Sequence, residues 1–134
     1  REFVDAVKSR GKTAIIHMCG HVRGILDLIK ETHCDGIHTL TPPPTGNTPW
    51  EDALDVLGDD LIIFGCLDPT IFAAGEISRI PSALDALITS RLRAANFVLT
   101  PMADGIAVDP ARFHAVAEWV RKDGLPNKSD AGDA

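Results

Sequence analysis

Leu61-Ile62-Ile63-Phe64-Gly65 is a run without a single polar side chain. A strand covered on both faces reads this way, because its two alternating faces are both buried. Such a strand belongs inside a parallel sheet flanked by helices. Thr13 to His17, Asp35 to Leu40 and Asn96 to Thr100 are further strand-like segments, and each precedes a helix-like one.

The helix-like segments follow from apolar periodicity and end signals. Glu2 to Arg10 forms a short leading helix. Val22 to Thr32 carries a stripe of Ile25, Leu26, Leu28 and Ile29. Pro49 to Leu57 begins behind Thr48 as N-cap, with Pro49 at the first helical position and Glu51 at the capping-box position. The apolar run turns through Cys66-Leu67-Asp68-Pro69 into Thr70 to Ala74, and a longer helix spans Ile80 to Ala94. Asp109 caps a last helix to Lys122, with Pro110 at its first position and Gly124 closing it.

Strand and helix in alternation give a parallel sheet with right-handed crossovers. Four such units are either half of an eight-unit barrel or a small open doubly wound sheet. In both, chemistry gathers at the carboxyl ends of the strands.

The first strand ends in His17-Met18-Cys19-Gly20. Alternate residues of an extended chain share a face, so an imidazole and a thiol converge there and can begin a zinc site. Other strand ends offer His38, then Cys66 and Asp68, then Met102 and Asp104. Each also has a plainer reading. Cys66 reads as a small residue packed under a loop, Asp68 as an N-cap, Asp104-Gly105 as a turn, and His38 as a strand-end residue bonded to backbone. Cys34 precedes a strand, at the opposite end, and reads as a buried small hydrophobe. No Gly-rich phosphate loop and no Gly-x-Ser-x-Gly elbow occurs.

The 134 residues suit one domain, and a net charge of −6 argues against a nucleic-acid backbone binder. No apolar run reaches the length of a membrane span. Three cysteines do not make a disulfide framework, so a reducing, cytoplasmic setting is expected. Arg1 in place of Met suggests a segment of something longer. Residues 1–123 are expected to form the folded part and 124–134 a flexible polar tail.

The chain resembles the C-terminal half of the uroporphyrinogen decarboxylase superfamily, which also contains the cobalamin-dependent methyltransferases. The resemblance spans Thr13 to about Gly124. It rests on His17-Met18-Cys19-Gly20, on Gly65-Cys66-Leu67-Asp68-Pro69 (commonly Gly-Asn-x-Asp-Pro in the family), and on Thr100-Pro101-Met102-Ala103-Asp104-Gly105-Ile106. It implies an α/β fold in which four βα units form the C-terminal half of a TIM (β/α)8 barrel.

The His-x-Cys-Gly element looks like the zinc motif of the methyltransferase branch. In that branch zinc holds an acceptor thiol as thiolate, which takes a methyl group from methylcobalamin. The resemblance implies His17 and Cys19 as zinc ligands. The family's later cysteine falls at Asp104, which makes His17, Cys19 and Asp104 the expected set, with Cys66 as the alternative third ligand. His38, Asp68 and Met102 are expected substrate contacts. The expected partners are a corrinoid carrier protein, bearing the cobalamin, and a small-molecule thiol or pterin methyl acceptor. Two other readings stand beside it. One is a metal-free tetrapyrrole decarboxylase. The other is an inactive fragment that self-associates or pairs with a missing N-terminal half, since half a barrel leaves two sheet edges open.

Overall fold

The apolar run becomes the third strand of a four-stranded parallel sheet whose spatial order follows the chain. The computed structural model describes residues 1–101 and 107–124. After helix α1 (Glu2–Lys8) come β1 (Ile15–His17), α2 (Leu26–Glu31), β2 (Gly36–Leu40), α3 (Trp50–Leu57), β3 (Ile62–Leu67), α4 (Pro69–Phe72), α5 (Ile80–Leu87), α6 (Ser90–Ala94), β4 (Phe97–Pro101) and α7 (Pro110–Trp119). This is a partial (β/α)8 barrel.

The sheet has two unlike faces. Ile37 and Ile63 pair across β2 and β3, are fully buried, and join a core with Leu26, Ile29, Trp50, Leu54 and Leu84 from the helices. On the other face the register aligns His17, His38, Phe64 and Val98 across all four strands. His17 and Val98 are exposed there, and His38 and Phe64 are half-buried. In a closed barrel such a row would line the interior.

Gly65 is required by packing. Trp50 and Phe97 lie 5.0 Å apart between ring centroids, and a methyl group on Gly65 would run into both rings. Trp50 is pinned by its indole N–H, which donates to the Leu40 carbonyl at 2.9 Å.

Three expectations change. The helix expected over Ile80 to Ala94 is two helices, broken at Ile88-Thr89. The Thr89 hydroxyl accepts from the Leu92 N–H at 3.3 Å and donates to Glu51 Oε1 at 2.5 Å. A threonine hydroxyl competing for backbone donors starts a new helix. Glu51 bonds to Thr89, and the expected capping box at Thr48 does not form. Pro49 takes the cap position, and the Thr48 hydroxyl donates to Asn47 instead. Finally, β3 runs two residues further than expected, because its ladder with β4 continues through Cys66–Thr100 and Leu67–Pro101. Cys66 therefore lies within the strand.

Asp109 caps α7 as expected, its carboxylate accepting from the Ala111 N–H at 2.9 Å behind Pro110. The last helix continues as a π turn, Val120–Gly124. Of the tail expected over 124–134, Gly124 belongs to this turn, and its remaining residues, like the Met102 and Asp104 assignments, lie outside the described residues. Among the described residues no helix is long and apolar enough to cross a membrane.

Candidate functional site

The β1–β2 ladder does not stop at His17. The Met18 N–H donates to the His38 carbonyl at 2.5 Å, and the Thr39 N–H donates to the Met18 carbonyl at 2.8 Å. These bonds hold the two strand ends in register, so His17 stands directly beside His38. Their Nδ1 atoms are 2.7 Å apart and their ring centroids 4.9 Å apart. The His38 ring meets Phe64 edge to face, with centroids 5.4 Å apart.

Two residues on, the Cys19 thiol is exposed. Gly20 follows with φ +80°, a backbone conformation that glycine adopts without strain. The chain thus turns away from the strand directly after Cys19. Arg23 does not point a free cation here, since its guanidinium meets Asp52 at 2.6 Å.

Asp68 is fully buried at the end of β3. One carboxylate oxygen accepts from the Thr70 N–H at 2.8 Å and the Thr70 hydroxyl at 2.5 Å. The other accepts from the Thr45 N–H at 3.1 Å. Burial opposes its charge, but the bonds from Thr70 and Thr45 outweigh burial and hold the carboxyl below the usual carboxylate range. Asp68 therefore caps α4 and ties down the proline-rich loop after β2. That loop also closes on itself, through Gly46 N–H to Pro42 O at 3.1 Å and Thr48 N–H to Thr41 O at 3.3 Å.

Cys66 lies two residues beyond Phe64 in an extended strand, so the two share a face. It is 3% exposed, and its thiol lies 3.5 Å from the Leu67 carbonyl. Cys34 is buried at the other end of the sheet, beside a cleft lined by Thr13, Asp35, Asp60 and Asn96.

Among the described residues, no group of three or more His, Cys, Asp or Glu stands ready to hold a metal ion. The structure brings His17 and His38 together and displays Cys19 at the same strand end. It embeds Cys66 and Asp68 in packing. An imidazole with a fixed partner and an exposed thiol have the chemistry zinc takes, and the set needs one more donor. Phe64 and Thr45 were not singled out from the sequence. Phe64 falls in the His17–His38 row through register, and Thr45 binds Asp68 through its backbone, which leaves no side-chain signal.

Parallel βα units with polar side chains at the carboxyl ends of the strands have the arrangement of a (β/α)8-type fold. Residues 1–122 match the family described as uroporphyrinogen decarboxylase (URO-D), and the chain belongs to that family. Comparison with curated proteins and with solved structures gives no match.

Proposed function

We propose that this chain carries the zinc-binding part of an enzyme that moves a methyl group between a corrinoid and a thiol or pterin acceptor. One observation carries the reading. An imidazole, His17, and an exposed thiol, Cys19, are displayed at the carboxyl end of one strand, and the imidazole is held by a second ring.

His17 and Cys19 would hold the metal, with Asp104 or Cys66 as third donor. Bound zinc supplies Lewis acidity that lowers the pKa of an acceptor thiol and keeps it as the nucleophilic thiolate. The chain's own residues do the rest. His38 restrains the His17 ring. Phe64 gives that ring pair an apolar flank. Asp68, through Thr45, fixes the loop that borders the same end of the sheet. The corrinoid would arrive on a separate carrier protein from the carboxyl side.

A second reading is a metal-free tetrapyrrole decarboxylase. It is favoured by the description of the family itself. Zinc content separates the two. The first reading expects roughly one zinc per chain after reconstitution under reducing conditions, falling steeply in Cys19→Ser and His17→Ala. A parent chain that stays metal-free after thiol reduction and zinc loading sinks it.

Self-association is proposed alongside either chemistry. Ile15 and Val98, 44% and 41% exposed, lie on the two outermost strands of the sheet. Unpaired strand edges invite pairing with another chain, and a second copy would cover them. Light scattering at micromolar concentration should show a dimer or larger species, and a clean monomer would refute it.

A further inference from the structure

We infer that His38 fixes the tautomer of His17, so that His17 keeps a bare Nε2 available as a ligand. The metal that Nε2 would meet rests on the zinc reading above. The tautomer rests on geometry alone.

The two Nδ1 atoms lie 2.7 Å apart, a hydrogen-bond distance. Two hydrogens between them would collide, and two lone pairs would repel. In the neutral pair, therefore, one Nδ1 carries a hydrogen and the other accepts it. An imidazole with its hydrogen on Nδ1 has a bare Nε2, and the acceptor ring has an Nε2–H. The pair always offers one of each.

Surroundings decide which ring is which. His17 is exposed and lies two residues before the exposed thiol of Cys19. His38 is half-buried, with Phe64 against its ring at an interplanar angle of 66°. An N–H tolerates an aromatic neighbour, and a lone pair gains nothing from one. The bare nitrogen belongs on His17, whose Nδ1–H donates to His38.

The same distance keeps the two Nδ1 atoms from sharing one metal ion. Two nitrogens about 2.0–2.1 Å from one tetrahedral zinc stand roughly 3.4 Å apart, wider than the His17–His38 spacing. His38 is a positioning residue. Its ring takes the place of the carboxylate or carbonyl that commonly accepts the second N–H of a metal-bound histidine.

The first test is nitrogen NMR on the metal-free, 15N-histidine-labelled chain. It should show His17 protonated at Nδ1 and His38 protonated at Nε2. The reverse assignment, or the same tautomer on both rings, overturns the inference. The second is titration with zinc alone. His38→Phe should bind about 10- to 100-fold more weakly than the parent. His38→Asn, whose carbonyl can accept the His17 N–H, should recover most of the loss. Parent-like affinity in a folded His38→Phe chain would count against the inference. A parent that binds no zinc sinks the functional reading instead, and the NMR result still decides the tautomer.

Discussion

The Thr45 N–H donates to the Asp68 carboxylate at 3.1 Å, across 23 residues of sequence. One buried side chain therefore joins the proline-rich loop after β2 to the start of α4. Asp68→Ala should lower stability by about 1–3 kcal/mol, from a lost cap and a lost charge-assisted bond to the Thr45 N–H. Denaturant unfolding measures it. A loss under about 0.5 kcal/mol, the scale of an ordinary surface substitution, would mean the link carries little.

Acid should reveal the same link. The folded Asp68 carboxyl lies below its ordinary range, whereas in the unfolded chain it titrates near 3.9. Its contribution is complete above the unfolded value and is lost as pH falls through the folded one. Asp35 acts in the same direction, held low by the Ala14 N–H and by Lys8. Urea midpoints measured from neutral pH downward should fall below about pH 4, and less steeply in Asp68→Asn. Parallel curves for the two proteins would refute the assignment.

Gly65→Ala should cost about 1–3 kcal/mol, since the new methyl group must displace Trp50 or Phe97. Because Trp50 is otherwise buried, its fluorescence should change with the loss. Unchanged emission together with unchanged stability would show that the rings yield freely.

Thr89→Ala removes both the cap of α6 and the bond to Glu51. About 1–2 kcal/mol of destabilisation is expected. A double-mutant cycle with Glu51→Ala, which removes the acceptor, should show coupling, and strict additivity would place the whole effect in the cap.

Much of this fold was legible in the residues. The apolar runs located all four strands, and Asp109-Pro110 marked the start of α7 because capping is local. The break at Thr89 was not legible, since half of its cause, Glu51, lies 38 residues away. The site divides along the same line. His17-x-Cys19 is a local pattern and could be read directly. The pairing of His17 with His38 depends on the register of two strands, which no short pattern encodes. Asp68 carried two meanings, cap and contact. The bonds it accepts from Thr70 and Thr45 show the first.

The strand order has a consequence for how the chain assembles. Every strand pairs with the one before it in sequence, so each new unit docks on an edge already built. Among the described residues, no strand pairing skips over another strand. Parallel pairing across a helical crossover is slow to form, yet this order allows a nascent chain to lay down its sheet one strand at a time as it leaves the ribosome.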